Sequence, residues 1–120
     1  MAFANFEKGL DTTNEIALTT THRRSGREIS HPVWFIREGE TLYLLPVSGS
    51  DSHWYNNVLK TPMIRLAAGG TQYSARATPV TDPTKVDEVV ENFRDKYGAG
   101  NVKAYYRKLD VAVEVPPAGP

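Results

Sequence analysis

The chain has no cysteine among its 120 residues. This absence excludes disulfide bonds, thiolate catalysis and zinc–thiolate sites, and it fits a reducing compartment. No segment approaches the ~20 apolar residues that a membrane-spanning helix needs, and the Met1 start lacks a basic region followed by an apolar stretch. We therefore predict a cytoplasmic protein with no membrane partner.

An excess of charge is also missing, because 14 basic residues balance 14 acidic ones. A polyanion is therefore not an expected partner of the molecule as a whole, and we predict no nucleic-acid binding. Binding of a single strand remains a minor alternative, because arginines and aromatic residues coexist.

The length of 120 residues fits one domain with a sizeable core. We predict a single domain over residues 1–120, with an N-terminal arm at 1–14 and a flexible tail at 116–120. No internal repeat is visible.

Alternating or continuous apolar residues predict six strands, at residues 15–21, 29–37, 41–47, 63–68, 72–80 and 111–115. Tight turns at Gly39 and at Gly69-Gly70 connect neighbouring strands in an antiparallel order. We predict an α+β fold whose mainly antiparallel sheet curls into a small barrel. A second copy of the chain is a plausible cover for the sheet edges.

Two helices interrupt the strands. A short one is expected to begin at Ser50 or Asp51 and to stop before Pro62, and a long one to run from Asp82-Pro83 to Gly98. Residues 3–10 form a weaker helical pattern, and residues 102–109 fit either a short helix or a loop.

A basic turn stands out between the first two strands, where Arg23, Arg24 and Arg27 surround Ser25-Gly26. Guanidinium groups are planar donors that suit phosphate oxygens, and glycine lets backbone N–H groups approach the same ligand. The turn is therefore either a phosphate-binding corner or a solvated hairpin tip. The residues alone do not separate these two interpretations.

Other chemistry finds little support in the sequence. His22, His31 and His53 have neither the i, i+4 spacing nor the His-Glu-x-x-His pattern of a metal site, so we predict none. The loop around Ser48 and Ser50 is not a G-x-S-x-G elbow, which argues against serine-dependent hydrolysis. An arginine corner together with apolar, aromatic strands instead favours a flat cofactor that carries phosphate.

Several motifs occur in the same order as in a known family. Thr19-Thr20-Thr21-His22-Arg23-Arg24-Ser25-Gly26, Pro32-Val33-Trp34-Phe35, the segment from Gly39 to Leu44, and Trp54-Tyr55-Asn56-Asn57-Val58 resemble those of the split β-barrel flavin and deazaflavin reductases related to deazaflavin-dependent nitroreductases. The resemblance covers residues 15 to about 66, and only the layout of elements agrees beyond it. It implies a homodimeric split barrel that binds FMN or the deazaflavin coenzyme F-420.

The resemblance also implies roles for individual residues. The phosphate end of the cofactor is expected at Arg23, Arg24, Ser25 and Gly26, with Arg27 as a helper. The ring is expected along His31, Pro32, Val33 and Trp34, with Trp54 and Asn57 on the helix side. Tyr105 and Tyr106 are the expected substrate-side residues. The implied activity is hydride transfer to a small activated acceptor such as a quinone, an enone or a nitroaromatic compound.

Three departures from the family pattern keep alternatives open. His22 replaces a glycine, Glu28-Ile29 replaces a proline-arginine pair, and the loop at Ser48 lacks a basic residue. Two phosphate contacts are therefore missing, which leaves the choice between F-420 and FMN open. One alternative is a non-catalytic protein that binds or carries the cofactor, and another is a dimer that has lost the ligand.

Overall fold

The structure is a computed structural model that describes residue 6 and residues 8–116. Its strands form two separate four-stranded antiparallel sheets, in the orders β2-β1-β5-β6 and β3-β4-β8-β7. The strands are β1 (Ile16–Thr21), β2 (Glu28–Val33), β3 (Phe35–Glu38), β4 (Thr41–Leu44), β5 (Met63–Ala68), β6 (Thr71–Arg76), β7 (Thr78–Val80) and β8 (Ala112–Val115). The predicted α+β class and antiparallel pairing are confirmed.

The prediction of six strands in one curled barrel is wrong. Each of two predicted long strands is broken by one residue, Trp34 between β2 and β3 and Ala77 between β6 and β7. At both breaks the chain leaves the first sheet and enters the second. Apolar residues continue through these corners, so the sequence pattern does not reveal them. The result is eight strands in two sheets that do not close on each other.

Besides the helical residues 6 and 8–10, the described residues form three α-helices and a 3-10 turn at Gly49–Asp51. The helices are α1 (His53–Lys60), α2 (Pro83–Tyr97) and α3 (Ala99–Tyr105). The long helix is confirmed: the Asp82 carboxylate accepts a hydrogen bond from Lys85 N at 3.2 Å, and Gly98 ends the helix at a φ of 96°. The count of one short and one long helix is wrong, since α3 adds a third. Helix α3 also places a helix at 102–105, where a loop was the alternative.

The second sheet lies between two apolar clusters. Along β4, Leu42 and Leu44 pack in the cluster that includes Leu18 and Leu66 of the first sheet. Tyr43, which points to the opposite face, packs with Phe93 of α2 in the other cluster. Both faces of this sheet are therefore covered, which explains why β4 reads as a continuous apolar run.

The chain ends lie partly outside the described residues. Residues 6 and 8–10 are helical, and Phe6 and Leu10 are buried in the first cluster. The rest of the predicted helix at 3–10, and residues 117–120 of the predicted tail, fall outside the description. Within the described ranges, no helix is long and apolar enough to cross a membrane.

Candidate functional site

Two adjoining cavities form one groove beside β2 and the start of α1. The wide cavity has a volume of about 710 Å³ and the narrow cavity about 280 Å³. His31, Ser52 and Trp54 line both, so the two cavities lie side by side. The wide cavity falls within the range of about 300–1,000 Å³ that small-molecule sites occupy.

One wall of the wide cavity consists of two chain segments that are distant in sequence. Ser48 forms a parallel bridge with Lys108, and Arg107 N donates to Val47 O at 2.7 Å. Ser50 N donates to the Asp110 carboxylate at 2.9 Å. These contacts join the loop before α1 to the loop after α3, and they bring Arg107 to the groove.

The basic turn is anchored to α1 through Asn57, which is 2% exposed. Its Oδ1 accepts from Arg23 N at 3.2 Å and from Arg23 Nη1 at 2.9 Å. Lys60 Nζ donates to Arg23 O at 2.7 Å. Arg23 therefore acts as a structural tie in this structure, with its guanidinium directed to the helix.

The remaining arginines of the turn, Arg24 and Arg27, are exposed and are not among the residues that line the groove. The neighbouring Glu28 does not neutralise them, because it forms a two-point ion pair with Arg65 at 3.0 and 3.1 Å. The hydrogen bonds and charge of Arg65 lower the pKa of Glu28. Within the described residues, the turn thus presents two cations without an ion-pair partner next to the groove.

Two residues that line the narrow cavity each carry a buried polar atom with no hydrogen-bond partner among the described residues. Among the described residues, only His31 Nε2 and the Tyr106 hydroxyl are buried side-chain atoms without a hydrogen bond. Both residues line this cavity. Burial lowers the pKa of His31 and raises that of Tyr106, so both are neutral near pH 7. Buried polar atoms normally have partners, so these two atoms are candidate contacts for a polar group of a ligand.

Trp34 lies at the bend between the sheets, and tyrosines surround it. Its ring stacks on Tyr97 with centroids 4.3 Å apart and on Tyr105 at 4.6 Å, and Tyr106 meets it edge-on at 5.9 Å. Much of the Trp34 ring is therefore already stacked. Trp54, beside His31 at 6.5 Å, is the second aromatic wall of the groove.

The groove unites some of the residues predicted from the sequence. The predicted residues that line it are His31, Pro32, Val33, Trp34, Trp54, Asn57, Tyr105 and Tyr106. Those that do not are Arg23, Arg24, Ser25, Gly26 and Arg27, although the turn begins at His22, which does. Cofactor and substrate binding by these residues stay predictions.

Sequence reasoning missed the other lining residues: Ile29, Leu45, Val47, Ser48, Asp51, Ser52 and Arg107, together with His22 and His53, which were considered only as metal ligands. No local sequence pattern marks Arg107 as a site residue. It is exposed and lies 50 residues or more along the chain from the other residues that line the wide cavity. No group of three histidine or acidic side chains in the described part of the chain is arranged to hold a metal ion.

Comparison with known proteins identifies the family. Residues 8–113 match the family described as "Uncharacterized protein conserved in bacteria (DUF2255)". The chain belongs to the DUF2255 family. No curated protein matches the sequence.

Solved structures share the fold of this DUF2255 chain. An F-420-H2 dependent reductase, FDR-A, superposes with a TM-score of 0.65 at 19% identity, over 85% of this chain and 93% of that one. HutZ, a heme storage protein from Vibrio cholerae, gives 0.71 at 13% identity, over 98% and 90%. A domain-swapped dimer gives 0.66 at 18% identity, over 85% and 79%. These similarities show that the chain shares the α+β fold of these split-barrel-like structures.

Proposed function

We propose that this protein is an oxidoreductase that binds FMN or F-420 in the groove and supports hydride transfer to a small activated acceptor. The observation that carries the proposal is that two residues of a cavity walled by Trp34 and Trp54 each carry a buried polar atom without a partner in the described residues, His31 Nε2 and the Tyr106 hydroxyl. Flat ligands with polar edges suit such a site. The fold shared with an F-420-H2 dependent reductase supports it further.

The residues fit a ring cofactor in shape and in polarity. The apolar wall of Pro32, Val33 and Leu45 suits a ring, and the two unpartnered atoms suit the heteroatoms at a ring edge. The wide cavity leaves space for a ribityl-like chain, and the basic turn beside His22 is the predicted position of a phosphate. The family resemblance predicts contacts there from Arg24, Ser25, Gly26 and Arg27, with Arg23 holding the turn against Asn57. Because none of these residues lines the groove, the side chains that line the wide cavity are the competing position for the phosphate.

Such a reaction needs few ionisable groups from the protein. The bound cofactor would supply the hydride, and the protein would supply binding, orientation and the exclusion of water. Trp34 and Trp54 would fix the plane of the ring. The Tyr106 hydroxyl, whose pKa burial raises, would remain protonated and donate a hydrogen bond to a ligand oxygen. Tyr105 is 39% exposed at the groove and would meet the acceptor.

Tryptophan fluorescence tests cofactor binding directly, because the chain has only two tryptophans and both line the narrow cavity. We expect FMN or F-420 to quench this emission, and the visible absorbance of the bound ring to shift. His31→Phe keeps a flat ring but removes Nε2, and it should weaken binding about tenfold. The control Arg76→Gln changes an exposed residue of β6 that lines neither cavity, and it should leave binding within about twofold. If neither FMN nor F-420 quenches the emission at high micromolar concentration, the proposal is wrong.

A second candidate function is cofactor storage or transport without catalysis. It is favoured by the fold shared with a heme storage protein and by the small number of ionisable groups in the narrow cavity. Turnover separates the two functions. An enzyme accelerates the oxidation of the reduced cofactor by quinones, enones or nitroaromatic compounds, whereas a carrier binds the cofactor and leaves its oxidation at the background rate. The measurement is the decay of the reduced cofactor's absorbance with and without acceptor.

We also propose a homodimer, which the fold shared with a domain-swapped dimer supports. Leu59 and Met63 are 52% and 51% exposed, and burial of such residues in a contact between copies would be favourable. Sedimentation velocity should give about twice the mass of one chain. A monomer at micromolar concentration would contradict this assignment.

A further inference from the structure

Three of the nitrogen-bearing side chains that line the wide cavity come from three separate segments. His22 opens the basic turn, His53 is the first residue of α1, and Arg107 follows α3. No motif in the sequence assigns a joint role to these residues. Their hydrogen bonds determine what each can offer to a ligand.

Both histidines use Nδ1 as an acceptor. His22 Nδ1 accepts from the backbone N–H groups of Arg24 and Ser25 at 3.2 and 3.3 Å. His53 Nδ1 lies 3.4 Å from Arg23 Nη2, and a guanidinium can only donate. A neutral imidazole that accepts at Nδ1 carries its proton on Nε2. Each ring therefore has an Nε2–H donor as its remaining polar group.

Arg107 adds a third donor and a permanent positive charge. Its backbone N–H is used in the bond to Val47 O, while the exposed side chain has no hydrogen bond or ion pair within the described residues. The nearest competing anion on the wall is Asp51, whose carboxylate lies 3.2 Å from Lys108 Nζ. Lys108 also lies 3.7 Å from the Asp110 carboxylate, so it offsets the charge of Asp51 in part, and the Arg107 guanidinium stays available to a ligand.

We propose that His22, His53 and Arg107 form an anion-binding subsite at the wide end of the groove, selective for a phosphate monoester. Three side chains that offer only donors match the acceptor oxygens of a phosphate and would leave a neutral hydroxyl less well paired. Arg107 would supply the charge that the loop at Ser48 lacks. This proposal deepens the proposed function. The phosphate bound here belongs to the cofactor only if the groove holds FMN or F-420.

Inorganic phosphate tests the subsite without any cofactor. We expect phosphate, titrated to about 50 mM, to move the imidazole NMR signals of His22 and His53, assigned from single His→Gln variants. Arg107→Gln should weaken this response about tenfold or more, and Arg107→Lys should retain part of it. Arg76→Gln, which removes an exposed arginine of β6, should leave it within about twofold. Unmoved signals would overturn the subsite, whatever the cofactor experiments give.

The comparison of FMN with riboflavin links the subsite to the cofactor. Arg107→Gln should raise the Kd for FMN about tenfold and change that for riboflavin less than twofold. The rival position of the phosphate is at Arg24 on the exposed turn. A loss of FMN affinity in Arg24→Gln that equals or exceeds the loss in Arg107→Gln would overturn the subsite. If neither flavin binds while phosphate still moves both histidine signals, the cofactor proposal fails and the anion subsite stands.

Discussion

Arg23 and Asn57 are joined twice through a single oxygen: the backbone N–H and the guanidinium of the arginine both donate to Oδ1 of the amide. The Nδ2 of the same amide donates to Thr20 Oγ1 at 3.3 Å. One buried side chain therefore connects β1, the basic turn and α1, three parts of the chain that border the groove.

We expect Asn57→Ala to lower the free energy of unfolding by about 1–3 kcal/mol, because it leaves buried or half-buried donors without partners. Chemical denaturation measures this loss. Asp87→Ala is the control on an exposed position of α2, and its truncation should cost less than about 0.5 kcal/mol. Equal losses of unfolding free energy in the two variants would show that Asn57 does not hold β1, the basic turn and α1 together.

Gly49 is required where the loop before α1 meets Asp110. Its φ is 55°, and an added Cβ would lie 2.0 Å from the Asp110 carboxylate and 3.0 Å from the backbone oxygen of Lys108. We expect Gly49→Ala to destabilise the protein by more than about 2 kcal/mol, because backbone strain adds to the clash. It should also weaken ligand binding, since this loop positions the groove wall.

Gly100 provides the contrast, because an added Cβ there meets no atom within 4 Å and the residue lies in α3. Gly100→Ala should stabilise the protein by about 0.5–1 kcal/mol. Thermal unfolding of both variants is the measurement. A Gly49→Ala protein as stable as Gly100→Ala would contradict the close approach of the two loops.

Local signals in the sequence predicted the elements whose cause is local. The hairpin at Gly69-Gly70 forms with φ angles of 57° and 81°, and Asp82 and Gly98 bound α2 as their residue types predict. The change of sheet at Trp34 has a different cause. Trp34 is held by Tyr97 and Tyr105, which lie more than 60 residues later, and the strand pattern itself continues without interruption.

The residues of the groove also divide into those with a local sequence signal and those that depend on tertiary contacts. His31 and Trp54 lie in motifs that sequence comparison can detect, and the structure brings them together. Arg107 reaches the groove only through the bridge between Ser48 and Lys108, a pairing of loops with no periodic pattern. Side chains that depend on such tertiary contacts are invisible to local sequence rules.

The bend at Trp34 depends on the hydroxyl of Tyr97. This oxygen accepts from Phe35 N at 3.0 Å and lies 2.7 Å from Asn14 O, to which it donates. We expect Tyr97→Phe to cost about 1–3 kcal/mol of unfolding free energy, because the Phe35 N–H loses its partner. Tyr105→Phe, which alters a second ring stacked on Trp34, should cost less than about 0.5 kcal/mol. Denaturant titration measures the unfolding free energy of both variants. A larger loss in Tyr105→Phe than in Tyr97→Phe would contradict the role of Tyr97.

The amine of Lys96 lies 3.5 Å above the Phe35 ring and donates to Phe35 O at 2.8 Å. Burial of the amine, with a smaller contribution from the charge of Arg37, lowers the pKa of Lys96 to about 8. The unfolded chain keeps this amine protonated up to its ordinary pKa of 10.5. Between these two values the unfolded state binds more protons, so the contribution of Lys96 to stability rises with pH and is most unfavourable below pH 8.

Lys96→Met removes this titration and keeps much of the apolar side chain. The melting temperature of the parent should therefore rise relative to that of Lys96→Met between about pH 8 and pH 10. Lys85→Met is the control of opposite sign, because hydrogen bonds to Glu88 and then Glu38 raise the pKa of Lys85 despite partial desolvation. The difference between the parent and Lys85→Met should stay flat over the same range. A flat difference for Lys96→Met as well would mean that the Lys96 amine remains charged above its ring.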